Sequence, residues 1–168
     1  MKFSAQRPVR IVMIGAGGTG GHVAPHLYRM LHSLERPCRF IIIDGDIVEE
    51  KNLLRQNFTA ADLGRNKAQV LAERYSAVFG MPCEYIPEYM EDEERLARLV
   101  RPAYLQNGIG FCNGRMYADT CYELVILIGC VDNNKSRQLC DRVFRSVTPL
   151  VYIDAGNGEY TGQVVCGV

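Results

Sequence analysis

The feature that most constrains this chain is Val9–Ile14, a nearly continuous β-branched apolar run that stops at a glycine cluster, Gly15-Ala16-Gly17-Gly18-Thr19-Gly20. Such a run lacks the alternation of a half-exposed strand, so it reads as a strand buried on both faces at the centre of a parallel sheet. Beyond Gly20, Val23, Leu27, Met30 and Leu31 recur at intervals of three and four until Pro37, which predicts a helix with those residues inward. Phe40–Ile43 is a second strand. Strand, glycine turn, helix and strand in that order make a βαβ unit with a right-handed crossover. The expected fold is therefore α/β, a Rossmann-like three-layer αβα sandwich around a mainly parallel sheet.

The remaining segments extend this pattern. Asn66–Phe79 places Val70, Leu71, Tyr75, Val78 and Phe79 on one helical face, with Gly80 and Pro82 as stop signals. Cys83–Ile86 is a short strand, and Glu91–Val100 a helix whose acidic first turn suits the dipole. Gln106–Tyr122 has no clear period and reads as a long loop. Leu124–Val131 is a strongly apolar strand. Ser136–Val147 is a helix with Leu139, Cys140, Val143 and Phe144 inward, followed by strands at Leu150–Ile153 and Gln163–Val168. No internal repeat or linker divides the chain, so residues 1–168 are expected to form one domain.

Composition narrows the function classes. Of 168 residues, 48% are hydrophobic and 23% charged, enough to close one sizeable core. Nineteen Lys and Arg balance nineteen Asp and Glu, so no net field favours nucleic acid or an anionic membrane. No stretch approaches the roughly 20 apolar residues of a membrane helix, and Met1–Gln6 lacks the apolar core of a secretion signal, which gives a cytoplasmic expectation. The seven cysteines (Cys38, Cys83, Cys112, Cys121, Cys130, Cys140, Cys166) are scattered and contain no C-x-x-C pair. A disulfide framework and a zinc site are therefore not expected, and most of the thiols should be reduced and buried.

Several residues carry chemistry in this frame. In the glycine turn Gly15, Gly17, Gly18 and Gly20 leave room for a phosphate to approach backbone amides at a positive helix end; the alternative is a packing turn. Asp44 ends the second strand, where an acid accepts hydrogen bonds from ribose hydroxyls. Asp46, two residues on, would share its face if the strand continued, and would hold a metal, a basic neighbour or the loop itself. A dinucleotide has no need of the cluster Lys51-Asn52-Leu53-Leu54-Arg55-Gln56 with Lys67, whereas a triphosphate does. Arg55 grips phosphate oxygens with paired N–H bonds, Lys67 supplies a point charge and Asn52 an amide donor; each taken singly also reads as a solvated surface group. Asp132, in Cys130-Val131-Asp132-Asn133, follows the most apolar strand and suits either a magnesium ion beside phosphates or the N-cap of the next helix. His22 and His26 have helical i, i+4 spacing, but Pro25 between them should kink that helix, so they read as ordinary histidines. Glu88 and Glu91–Glu94 read as a solvated helix start, with a surface for a basic partner as the alternative.

Taken in order, GAGGTG, DGD, NLLRQ, Lys67 and CVDN with Arg137 resemble the ThiF/HesA/MoeB family of ubiquitin-like-protein activating enzymes, over about Val9 to Asp154. The resemblance implies an adenylyltransferase that uses ATP and magnesium to convert the C-terminal glycine of a ubiquitin-like or sulfur-carrier protein into an acyl-adenylate, with release of pyrophosphate. It implies Gly18 against the phosphates, Asp44 on the ribose, Asn52 and Arg55 on the phosphates, Lys67 on the reacting phosphate and Asp132 on magnesium. Asp46, Gln56 and Asn133 stand beside them as secondary binding residues. It also implies a homodimer and a partner ending in Gly-Gly. The chain departs from the family in three ways: only Arg7 and Arg10 stand where the family places helices and often an arginine serving the partner's ATP, the family usually continues past the equivalent of Val168, and Gln106–Tyr122 is longer than its counterpart. The domain is thus expected to be short at both ends, with Cys166 packed in an apolar strand rather than acting as a nucleophile. Two other functions fit parts of the pattern. One is an NAD(P)-binding Rossmann oxidoreductase, which leaves NLLRQ unexplained, and the other a non-catalytic dimer partner of the same fold.

Overall fold

The computed structural model describes residues 7–34, 36–112, 115–157 and 161–168, with residues 104–112, 115–122 and 157 described through their backbone alone. Six strands form one sheet: β1 (Val9–Ile14), β2 (Cys38–Ile43), β3 (Glu84–Ile86), β6 (Leu124–Gly129), β7 (Val151–Asn157) and β8 (Gly162–Gly167), in the order β3-β2-β1-β6-β7-β8. All neighbours are parallel except β7 and β8. β1 lies between β2 and β6, Ile11 opposite both Phe40 and Ile126, and every one of its residues is buried.

Alternation along β1 splits the core in two. Val9, Ile11 and Met13 join Phe40 and Ile42 on one face, covered by α1 (Gly18–Ser33) and α3 (Lys67–Phe79). Val12 and Ile14 join Ile41, Ile43, Val125 and Leu127 on the other, covered by α4 (Glu93–Val100) and α5 (Asn134–Ser146). This is the three-layer sandwich that the sequence implies, because strands covered on both sides need apolar residues at every position.

Arg10 is the exception within β1. Its guanidinium bonds Glu123 through Nε at 3.1 Å and also through Nη2, and it donates to the Leu99 carbonyl at 2.7 Å, so the charge is answered inside the fold. Arg7 donates to the Glu123 carbonyl. Neither is placed as a free arm.

Four details differ from expectation. Gln106–Tyr122 is not a loop: β4 (Tyr104–Cys112) and β5 (Arg115–Tyr122) form a separate antiparallel pair with a register shift between Gln106 and Ile109. Helix α1 runs unbroken through Pro25 and turns Gly20, Gly21, Ala24, Tyr28 and Leu31 inward, leaving Met30 41% exposed. Val78 of α3 is also exposed, while Val70, Leu71 and Tyr75 are buried as the period predicts. Cys166 is exposed on β8 rather than packed; Cys130 and Cys140 are buried, and the side chains of Cys112 and Cys121 lie outside the described residues. A short α2 (Glu50–Leu53) and a 3-10 turn at Ala60–Asp62 fill the connection to α3. No helix among the described residues is long and apolar enough to cross a membrane.

Candidate active site

The carboxyl ends of β1, β2, β3 and β6 are brought level by hydrogen bonds that continue one step past the strands: Gly15 N to the Ile43 carbonyl at 2.8 Å, Asp44 N to Ile86 at 3.2 Å and Cys130 N to Ile14 at 2.8 Å. A cavity of about 900 Å³ opens there. This is where an open parallel sheet binds ligands, since the βα turns diverge beyond the strand ends. Gly15, Gly17, Gly18, Asp44, Asp46, Arg55, Gln56, Lys67, Asp132 and Asn133 all line it.

The glycines of the turn have different physical reasons. Gly15 has φ of +98°, and a Cβ there would sit 2.4 Å from the Cys130 carbonyl oxygen. At Gly20 a Cβ would lie 1.9 Å from the Gly15 carbonyl oxygen, so this glycine packs the turn and does not reach the cavity wall. Gly18 has nothing within 4 Å of where a Cβ would be. It faces open cavity at the start of α1, where Gly17 provides no side-chain cap and the first turn holds no acid. An uncapped, unneutralised helix start is an anion site by its dipole and its outward amides.

Asp44 anchors this wall. Its Oδ2 accepts from the Ala16 amide at 2.6 Å and its Oδ1 from the Asp46 amide at 2.8 Å, joining the β2 end to the glycine turn. Burial pushes its carboxyl above the ordinary range, against the pull of those two amides.

β2 ends at Ile43, so Asp46 is not a strand neighbour of Asp44. It lies in a loop laced to the start of α3: Asn66 Nδ2 donates to the carbonyls of Asp44 and Asp46, Lys67 N to that of Asp46, and Val48 N to Arg65. The lacing delivers the Lys67 side chain, only 6% exposed, to Asp46 Oδ2 at 2.9 Å. Tyr89 donates to the other oxygen of Asp46 and its ring covers Gly45. Burial raises the Asp46 carboxyl, but the bonds from Tyr89 and Lys67 outweigh it and hold the group below the ordinary carboxylate range. Of the roles open to Asp46, the structure realises the basic neighbour and the loop support.

Arg55 and Gln56 follow α2 on a turn, Arg55 exposed and Gln56 half-buried. Asn52 is buried and absent from the cavity wall; its carbonyl accepts the amides of Arg55 at 3.1 Å and Gln56 at 2.8 Å, and its Oδ1 accepts from Glu49 N at 2.9 Å. Asn52 thus shapes the turn that presents Arg55. Gln56 Oε1 is buried and finds no hydrogen-bond partner among the described residues.

Asp132 is exposed on the opposite wall. The cap of α5 is Asn133, whose side chain accepts from Ser136 N at 2.8 Å, so the helix starts at Asn134 and Asp132 is left free of capping. Cys130 also lines the cavity, but burial pushes its thiol up to about 12, which leaves it protonated and inert.

Lining residues that sequence reasoning passed over are Tyr89, Lys135 and Arg142; Glu88 and Glu91, expected as part of a solvated helix start, line it too. Lys135 pairs with Glu91, and Arg142 with Glu93, across α4 and α5. The acidic run at 88–94 is therefore a paired rim. His22 Nδ1 donates to the Gly18 carbonyl of its own helix at 2.7 Å, and both His22 and His26 are exposed.

This architecture, a glycine turn, a strand-end acid and basic side chains at the strand ends around one cavity, defines a Rossmann-like α/β domain. The model of the ThiF family matches residues 4–167, and the chain belongs to that family. No curated protein matches it. Among solved structures it is similar to E. coli MccB with ATP (23% identity, 88% of this chain and 36% of that one, TM-score 0.58). It is similar also to MccB with AMPCPP and MccA (23%, 88% and 37%, TM-score 0.59) and to PaaA (21%, 90% and 38%, TM-score 0.60). These likenesses bear on the fold, and the chain spans little more than a third of the length of those proteins.

Proposed function

We propose that this chain is the ATP-binding adenylation domain of an adenylyltransferase that activates the C-terminal glycine of a small ubiquitin-like or sulfur-carrier protein ending in Gly-Gly, and that it works as a homodimer in the cytoplasm. The observation that carries the reading is the meeting of Gly18, Arg55, Lys67 and Asp132 around one cavity. In this reading the phosphates lie along Gly17 and Gly18 at the start of α1, the ribose at Asp44, and Arg55 and Lys67 on the phosphate oxygens. Asp46, Asn52, Gln56 and Asn133 support those positions.

The chemistry asks little of the protein beyond alignment. A carboxylate oxygen attacks the α-phosphorus, a new P–O bond forms, and the bond to the leaving pyrophosphate breaks; no proton moves. The obstacle is repulsion between two anions, which fixed cations and helix amides offset. Lys67 would exchange Asp46 for a phosphate oxygen, a substitution of one anion for another that keeps its buried charge answered. Magnesium fits the donor set only in company: no group of three or more His, Cys, Asp or Glu is placed to hold a metal among the described residues, and Asp46 is engaged, which leaves Asp132 to share the ion with phosphate oxygens. When bound there, magnesium supplies further charge neutralisation.

ATP–pyrophosphate exchange tests the reading. Exchange that requires a small protein ending in Gly-Gly, and disappears in Arg55→Ala and Asp132→Ala, supports it. Exchange with free peptides alone moves the substrate to that class. Tight binding of NAD in place of ATP returns the oxidoreductase, and ATP binding without exchange by any carboxylate identifies a non-catalytic partner.

A further inference from the structure

Arg137 lies on the second turn of α5, outside the cavity wall, yet it is tied to the residue that precedes Asp132. Its Nη2 donates to the Val131 carbonyl at 2.9 Å. Its Nε lies 3.4 Å from Asp154 Oδ2, an ion pair without hydrogen-bond alignment, and Nε is buried with no hydrogen-bond partner among the described residues. Asp154 is in turn held midway along β7, opposite Gly129 at the end of β6, and its Oδ1 accepts from Tyr152 at 3.2 Å.

The surroundings are shaped to admit this pair. A Cβ on Gly156 would meet Arg137 Nη2 at 2.7 Å, and one on Gly129 would meet Asp154 Oδ1 at 2.6 Å. Two glycines, one on each neighbouring strand, therefore leave space for one guanidinium and one carboxylate. A guanidinium that only balanced Asp154 would have no need to reach back six residues to a carbonyl. Arg137 does both, and so links the middle of β7 to the βα turn of β6.

Resting on the adenylation reading above, we propose that Arg137 is a positioning residue: braced by Asp154, it fixes the Val131 carbonyl and thereby the direction in which Asp132 enters the cavity. Asp132 needs such a device. It is exposed, and Asn133, not Asp132, supplies the cap of α5. With only the β6 end on one side and the cap on the other, the Val131–Asp132 peptide is oriented by what holds the Val131 carbonyl, and that is Arg137. Residues that orient a metal-binding carboxylate from behind typically matter about ten- to a hundredfold.

Two measurements test this. The first is pyrophosphate exchange in Arg137→Met, Asp132→Ala and the double variant. Exchange should fall about tenfold or more in Arg137→Met, mainly in kcat, and the double variant should be no slower than Asp132→Ala alone. Arg137→Met combined with Arg55→Ala should instead multiply the two losses. A multiplicative loss with Asp132→Ala would overturn the proposal. The second needs no activity: amide hydrogen exchange of the full chain without nucleotide. Faster exchange at residues 131–134 in Arg137→Met, with residues 52–56 unchanged and Arg137→Lys intermediate, supports positioning; unchanged exchange at 131–134 overturns it. If the wild type exchanges no pyrophosphate at all, the functional reading fails while the amide measurement still decides the role of Arg137.

Discussion

Lys67 Nζ and Asp46 Oδ2 lie 2.9 Å apart, a nearly buried cation held by a carboxylate whose side chain is 46% exposed. The asymmetry decides what each partner's loss does. Removing Asp46 strands the cation, so Asp46→Asn should destabilise by about 1–2 kcal/mol at neutral pH, toward the low end for a bond to a charged group because solvent screens half of the pair. The Asp46 carboxyl is held below its ordinary value, so its contribution is present above the unfolded pKa and disappears as pH falls through the folded one. Asp44 has the opposite sign: its raised carboxyl contributes below the ordinary range and loses that contribution as pH rises. Thermal melts from pH 7 down to about pH 2.5 should therefore show wild type and Asp46→Asn converging below the ordinary carboxylate pKa of about 4. A gap that stays constant to the lowest pH would contradict this.

The glycines allow a separation of binding from folding. At Gly20 an added methyl meets the Gly15 carbonyl at 1.9 Å, which only a backbone shift relieves. Gly20→Ala should cost at least about 2 kcal/mol of stability in denaturant titration. At Gly18 an added methyl meets nothing within 4 Å. Gly18→Ala should leave the melting temperature unchanged or slightly raised, and should weaken ATP binding by calorimetry about tenfold or more if phosphates lie against that position.

How far the sequence disclosed this arrangement follows from where its physics is local. The strands β1, β2 and β6 were legible because burial on both faces forces an apolar residue at nearly every position. The glycine turn and Asp44 were legible because they sit at fixed offsets from β1 and β2. The β4–β5 pair was missed for want of alternation, although Asn113-Gly114, midway along it in sequence, is the dipeptide that most favours a tight hairpin. The Asp46–Lys67 pair depends on Asn66 stitching a loop to a helix start, which no spacing rule encodes. Asn52 was expected on the phosphates; its residue type serves equally to shape a turn, and the backbone amides of Arg55 and Gln56 claim its carbonyl. Tyr89 reaches the cavity from beyond β3, a strand of three residues with too little pattern to point there.

Arg55 and Asp132 are both exposed and neither supports the core, so their truncation reports on chemistry alone. Arg55→Ala and Asp132→Ala should each melt within about 0.5 kcal/mol of wild type. Each should slow ATP–pyrophosphate exchange on the order of a hundredfold, the cost of removing one preorganised group that meets developing charge. Arg55→Lys should recover only part of the loss, since an ammonium cannot form the paired bonds of a guanidinium. Full recovery by lysine would reduce the role of Arg55 to that of a point charge.

Pro25 explains a bond that otherwise has no purpose. Lacking an N–H, it cannot donate to the Gly21 carbonyl one turn earlier, yet α1 continues through it. Asn57 Nδ2 approaches that carbonyl at 3.4 Å while it also donates to Tyr75 Oη at 2.7 Å. The side chain thus stands in for the missing amide and ties α1 to α3. Asn57→Ala should cost about 1 kcal/mol, the usual net worth of one such bond plus part of the exposed carbonyl's penalty. Pro25→Ala restores the helical donor, so in that background Asn57→Ala should cost roughly half as much. Denaturant melts of the two single variants and the double variant measure the coupling, and strict additivity would show that Asn57 serves Tyr75 and not the helix.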